Sequence, residues 1–195
     1  MFFFKGPVAA SKSWFNRALV IQYFNNDLIL GASADSDDVV RLQKAIGSIG
    51  ETSRFDLGMG GTSFRFFAFL ISRAPGRWAL RAHERLLERP QQEIVKILSQ
   101  LGVKAMFASD ELQIESEGWR STDKITCAAD LSSQFVSGLL LSCWKLEFDL
   151  EIEILKPVSS FGYLQMTLAL LQTAGMNLQI QESENSLICS IPKNQ

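Results

Sequence analysis

With 195 residues, 47% of them hydrophobic, and a formal net charge of −2, the chain can bury one good core and lacks the positive bias that general nucleic-acid binding requires. Phe2, Phe3 and Phe4 make too short an apolar run for a signal peptide or a membrane span, so a soluble, cytoplasmic protein is expected, with no membrane partner. Cys127, Cys143 and Cys189 are odd in number, widely spaced and set among apolar residues, and His83 has no Cys or His neighbour; reduced core thiols, no metal and no cofactor are expected.

In chain order, Ser11, Lys12 and Ser13 lead into Trp14, Phe15, Asn16, Arg17, Ala18 and Leu19, a helix that is apolar on most sides. A strand follows at 28–30. Asp35, Ser36, Asp37 and Asp38 then open an amphipathic helix at 39–46 that stops at Gly50. Gly60, Gly61, Thr62 and Ser63 start a second apolar helix through Phe64, Arg65, Phe66 and Leu70, and a strand is predicted at 78–80. His83 lies among Arg81, Glu84, Arg85, Glu88 and Arg89 in what reads as a solvated loop. Pro90 opens an amphipathic helix at 94–101 closed by Gly102, and a hairpin pairs 105–107 with 112–115. Ser132, Ser133 and Gln134 begin a third apolar helix. At 148–154, Phe148, Leu150, Ile152 and Ile154 alternate with Asp149, Glu151 and Glu153, a strand with one wet face. An amphipathic helix at 163–174 closes at Gly175, and a hairpin pairs 178–180 with 187–191.

The order strand, buried helix, strand, amphipathic helix, hairpin recurs three times, in units of about 1–57, 58–125 and 126–195. The fold class is therefore α+β: one domain, 1–195, of three βαβαββ-type units in pseudo-threefold arrangement, with buried helices inside and sheets outside. In the first unit the hairpin is nearly absent, because little more than residues 51–57 separates Gly50 from the next glycine cluster.

Three buried helices with small or hydroxyl residues in their first turns have functional consequences. The unpaired N–H groups and the positive end of the dipole make each start an anion site, and Lys12, Arg17 and Arg65 add cationic groups. A single Ser or Thr at such a place is an ordinary N-cap. Three in register with a wider repeat point to a phosphorylated or carboxylated ligand.

The segment 11–19 resembles the opening motif of the enolpyruvyl transferases, and 35–39, Gly60-Gly61-Thr62 with Arg65, Arg85 with Glu88-Arg89-Pro90, and 132–135 resemble further motifs of that family in its order. The branch that uses UDP-N-acetylglucosamine carries a reactive cysteine in the loop matching 81–90. None is present here, which favours the branch acting on shikimate 3-phosphate. The resemblance implies a transferase of the shikimate pathway, leading to chorismate and the aromatic amino acids. It moves the enolpyruvyl group of phosphoenolpyruvate to the 5-hydroxyl of shikimate 3-phosphate by addition and elimination.

Carried over by position, Lys12, Ser13 and Arg17 would hold shikimate 3-phosphate, with Lys12 also facing phosphoenolpyruvate as the catalytic candidate. Ser132 and Ser133 would bind the 3-phosphate, Gln134 the ring, Ser160 and Tyr163 the phosphate and ring edge, and Gly61, Thr62 and Arg85 the phosphoenolpyruvate. The face bearing Lys12, Arg85 and Ser133 should be open, concave and locally basic. Met59 stands where the family usually has Asn, and Phe66 where it has Pro. The family closes two such domains over its substrates, and the second supplies an Asp, a Lys and a Glu for proton transfer. The chain starts almost at the first motif and stops after the third hairpin, so it is expected to be one whole domain, inactive alone and completed by a second domain in trans. The alternative is a non-catalytic relative that keeps the phosphorylated ligand and has lost the chemistry. A cyclase of RNA ends shares the repeat unit, but the acidic balance and the Ser-Lys-Ser motif speak against it.

Overall fold

The computed structural model describes residues 11–25, 35–108 and 110–195. Among them the chain runs α1 (Lys12–Phe24), α2 (Asp37–Gly47), β1 (Arg54–Asp56), α3 (Gly61–Ser72), β2 (Gly76–Arg81), α4 (Glu84–Leu87), α5 (Gln92–Gln100), β3 (Lys104–Ala108) and β4 (Glu111–Ser116). It continues through β5 (Lys124–Ala128), α6 (Ser133–Leu141), β6 (Leu150–Leu155), α7 (Phe161–Thr173), β7 (Gln179–Glu182) and β8 (Ser186–Ile191).

Helices with no polar stripe have to be enclosed, and α1, α3 and α6 are. Every residue of α3 from Ser63 to Ser72 is buried, as are Ser133 and 135–141 of α6 and most of α1. The three pack on one another. Gly138 is what lets α6 approach α3 closely: a Cβ there would stand 2.7 Å from the Phe69 ring and 3.1 Å from the Arg65 carbonyl oxygen.

Two four-stranded sheets are built alike, in the orders β1-β2-β4-β3 and β5-β6-β8-β7, each with a parallel first pair followed by antiparallel pairs. Each takes its strands in the sequence βαβαββ, with a buried helix at the first crossover and an amphipathic one at the second. In β6, Leu150, Ile152 and Ile154 are buried while Glu151 and Glu153 face Lys124 on the wet side. On α7 the inward stripe is Leu164, Thr167, Leu168 and Leu171, spaced for one helix face. Helices α1 and α2 match the buried and amphipathic helices of the first expected unit; the strand expected at 28–30 lies outside the described residues.

Some boundaries differ from the sequence reading, for local reasons. β1 was not expected because Phe55 is its one buried residue, between exposed Arg54 and Asp56, and three residues carry no period. β5 does alternate, with Ile125 and Cys127 buried, and is held as the parallel neighbour of β6. β6 begins at Leu150, later than predicted, and α7 begins at Phe161, two residues early, after Ser160 in the left-handed region. The loop around His83 contains the one-turn helix α4, whose first N–H groups include that of Arg85, donated to His83 Nδ1.

The three cysteines are buried and free, and burial pushes the Cys143 thiol up to about 12 and the Cys189 thiol up to about 11. No helix of the described residues is long and apolar enough to cross a membrane.

Arg73 closes the far end of the helix cluster. It caps α3, and its guanidinium donates to the carbonyls of Ser142, Trp144 and Lys145, just past the end of α6, while lying against the rings of Phe24 and Trp119 at 5.4 and 5.1 Å. It satisfies carbonyls that a helix end leaves open and puts a cation at the negative end of the dipole. Arg73→Ala is expected to reduce unfolding stability in urea by about 2–4 kcal/mol, the scale of losing charged hydrogen bonds to buried carbonyls. Arg73→Lys should recover less than half, because an ammonium cannot span three carbonyls in the guanidinium plane.

Candidate functional site

The first turns of α1, α3 and α6 open on one side of the helix cluster. Ser11 caps α1, accepting from the Trp14 N–H at 3.4 Å, and Ser132 caps α6, accepting from the Gln134 N–H at 3.2 Å. α3 begins after Gly60 with no side-chain cap, which leaves N–H groups of its first turn for an outside acceptor. Between these starts lies a hollow of about 530 Å³ that Lys12, Gly61, Thr62, Ser132 and Gln134 line together with Asp38, Met59, Arg65 and Arg89.

Arg65 organises it from inside. Its Nε donates to Gln91 Oε1 at 3.0 Å, one terminal nitrogen donates to Gln134 Oε1 at 2.6 Å and Ser132 Oγ at 3.2 Å, and its plane lies over the Phe135 ring at 4.4 Å. Gln134 passes the connection on, donating from Nε2 to Thr62 Oγ1 at 3.1 Å. The starts of α3 and α6 are thereby one hydrogen-bonded unit. Gln91, itself buried, donates to the Leu86 carbonyl at 2.9 Å, so the segment that carries Arg89 hangs on the same guanidinium.

Lys12, at the head of α1, pairs with Asp38 from the first turn of α2 at 2.8 Å. The lysine is half exposed and the aspartate largely covered. The ammonium is thus aimed at the hollow but already has a carboxylate.

The remaining sequence candidates fall elsewhere. Arg17 is buried, donating to the Ser13 and Tyr163 carbonyls at 2.6 and 3.0 Å and to Thr167 Oγ1 at 2.7 Å, with the rings of Phe66 and Tyr163 beside it. It fastens α1 to α7. Ser133, expected on the open face, is buried, and its hydroxyl donates to the Ser160 carbonyl at 3.4 Å. Tyr163 is exposed at the start of α7, as is Ser160 before it. Ser13, Arg17, Ser133, Ser160 and Tyr163 thus form a second group, around the start of α7 and outside the hollow. Arg85 is exposed on α4 and does not line the hollow; Arg89, one turn later, does.

Of the charged lining residues, Asp38 and Arg89 were given no role at the site in the sequence analysis, and Arg65 was read only as a cation beside its helix start. Arg65 follows Thr62 by one helical turn, and Arg89 follows Arg85 by four residues, so both carried a spacing signal. Asp38 carried no spacing signal, since acids at a helix start have a sufficient reason in the dipole, and its segment, 35–39, pointed to it only through the resemblance.

The electrostatics are unusual for a chain of net negative charge. Burial lowers the Arg17 and Arg65 guanidiniums to about 10, in Arg65 with a smaller contribution from nearby Arg89. Among the described residues neither has a carboxylate partner. Lys12, Arg65 and Arg89 against the single Asp38 leave the hollow positive, with hydroxyl and amide donors around it. Such a surface is built to receive an anion.

Comparison with known proteins gives the family and the fold. Residues 29–193 match the family model described as EPSP synthase (3-phosphoshikimate 1-carboxyvinyltransferase). A 3-phosphoshikimate 1-carboxyvinyltransferase of Bacteroides fragilis is 30% identical over 92% of this chain and 44% of its own length. Another, from Shewanella halifaxensis, is 32% identical over 67% of this chain and 31% of its own. The chain spans less than half the length of these relatives. An EPSP synthase structure from Acinetobacter baumannii superposes on 98% of this chain and 47% of its own, with a TM-score of 0.71 at 17% identity, which establishes the fold.

Because Asp38 competes for Lys12, Asp38→Asn should raise the affinity for inorganic phosphate by about 2–6-fold, the scale of a half-exposed ion pair. The rise in melting temperature with phosphate concentration measures this. Adding Lys12→Ala to the variant should abolish the gain.

Proposed function

The chain belongs to the EPSP synthase family, and on that footing we propose that it forms the shikimate 3-phosphate-binding half of an enolpyruvyl transferase. The observation that carries the reading is the positive hollow where Lys12, Arg65, Ser132, Gln134 and the uncapped start of α3 converge. A phosphate dianion takes charge-assisted hydrogen bonds from such donors, and helix starts add their dipoles. We read the chain as one domain of three βαβαββ units, the second opening with β1 at Arg54 and the third with β5 at Lys124, each bringing one helix start to this face.

In the reaction, the 5-hydroxyl oxygen of shikimate 3-phosphate gives up its proton and attacks C2 of phosphoenolpyruvate while C3 takes a proton; the tetrahedral adduct then loses a proton from C3 as the C2–O bond to phosphate breaks, which restores the double bond and releases phosphate. Ser132 and Gln134 hold the acceptor at the hollow, Ser160 and Tyr163, exposed at the start of α7, meet its far edge, and the buried Arg17 and Ser133, with Ser13, set the helix starts from behind. Gly61, Thr62, Arg65 and Arg85 face the phosphoenolpyruvate side. Lys12 stands between the two and stabilises charge developing on the transferred group. Proton transfer needs groups within hydrogen-bond reach and a site closed to water. A second domain supplies both, on the same polypeptide or on another. Trp14, Met59, Leu131, Phe161 and Tyr163, large side chains exposed at the helix starts, give that domain an apolar rim to close on.

A second reading, a non-catalytic binder of a phosphorylated ligand, is favoured by Met59, which presents a thioether to the hollow with 56% of its surface exposed.

Calorimetric titration tests the common part of both readings. Shikimate 3-phosphate is expected to bind the isolated chain and shikimate at least about 10-fold more weakly, and Lys12→Ala should cost about 1.5–3 kcal/mol, the worth of a charge-assisted hydrogen bond. Equal binding of shikimate would overturn the phosphate site. Phosphate release from the two substrates should be absent for the chain alone and appear on adding the complementary half of a relative. Binding without turnover in that mixture would favour the second reading.

A further inference from the structure

The loop at 57–60 is a partition. Met59 lines the hollow on one side and, on the other, a second depression of about 500 Å³ bordered by Asp37, Arg41, Asp56, Gly58, Arg81 and Asp110. The loop leads directly into Gly61 and Thr62, so whatever sets its position sets one wall of the hollow.

Helix α2 grips this loop at two glycines. Arg41 lies across Gly58: a Cβ there would stand 2.6 Å from Arg41 Nε and 2.7 Å from its Cδ, and Gly58 has φ +62°. Asp38 lies against Gly60, where a Cβ would come within 2.8 Å of its Cγ. Only residues without side chains admit both approaches. Polar contacts then hold the loop. Arg41 Nε donates to Asp37 Oδ2 at 2.8 Å, and a terminal Arg41 nitrogen donates to Asp56 Oδ2 at 3.0 Å; the other Asp56 oxygen accepts from the Gly58 N–H at 2.9 Å. The Gly58 carbonyl accepts from the His83 N–H at 2.9 Å, at the head of α4. One residue thus joins α2, the approach to α3 and the segment leading to Arg85 and Arg89.

We propose that Arg41 is a positioning residue of the anion site: clamped between Asp37 and Asp56 and laid on Gly58, it fixes the 57–60 loop from behind, so that the α3 start, Lys12 through its Asp38 partner, and the α4 segment share one register. The global stability of the fold does not depend on it. Asp37 and Asp56 are two-thirds exposed, and exposed ion pairs contribute little to unfolding free energy. The effect is local.

The proposal rests on the reading of the hollow as an anion site, and the experiment separates the two. In Arg41→Ala and Arg41→Gln, amide hydrogen exchange at Gly58 and His83 should accelerate at least about 10-fold while amides of α6 keep their protection. Affinity for inorganic phosphate and for shikimate 3-phosphate should fall about 3–10-fold at a melting temperature within about 2 °C of the unsubstituted chain. Arg41→Lys, which keeps one ion pair and loses the planar contact, should fall between. Gly58→Ala should reproduce the loss of affinity, and its combination with Arg41→Ala should be less than additive, since the methyl then has room. Unchanged exchange at Gly58 and His83, or changed exchange with unchanged affinity, would overturn the role of Arg41. Failure of the unsubstituted chain to bind either anion would overturn the site itself, leaving the exchange result to report on the clamp.

Discussion

The structure depends on enclosing helices whose sides are apolar and whose first turns are polar. α1, α3 and α6 cannot tolerate water along their lengths, so they pack on one another, with the two sheets built around α3 and α6. Their first turns cannot be buried without partners. The two requirements are met together only if the polar ends emerge at a common face. The hollow follows from the core, and its donors are the groups the core could not absorb.

Charge is distributed by the same logic. Carboxylates of the two sheets and their turns pair with Arg54, Arg77, Arg81, Lys104 and Lys124 at the surface, and those at the start of α2 pair with Lys12 and Arg41. The buried cations Arg17 and Arg65, and the half-buried Arg73, are satisfied instead by carbonyls, hydroxyls, amides and ring faces. Arg17 and Arg65, solvated in this way, keep their positive field, because among the described residues no carboxylate pairs with them. The charge of Arg73 falls on a helix end. That of Arg65 falls on the hollow, which explains how a chain of net charge −2 presents a basic site.

Arg17 illustrates how a motif residue divides its work. Three donors go to Ser13, Thr167 and Tyr163, and Thr167 in turn donates to Ser137 on α6. The guanidinium therefore sets the relation of α1, α6 and α7 before any ligand arrives.

The sequence by itself determined the class of fold, the three buried helices and the polarity of their first turns, because hydrophobic period and capping chemistry are local properties. The alternation in 150–154 and the glycine and proline stops were legible for the same reason. Lys12, Gly61, Thr62, Ser132 and Gln134, named from the resemblance of their segments to the enolpyruvyl transferases, all line the hollow. What tertiary structure decided were relations between distant segments. Arg65 reaches Gln91 and Gln134, Asp38 neutralises Lys12, Arg17 is spent on α7, and Ser133 turns inward to Ser160. Long polar side chains take their partners from whatever the packing of helices brings within about 3 Å, and no period along one segment records that distance.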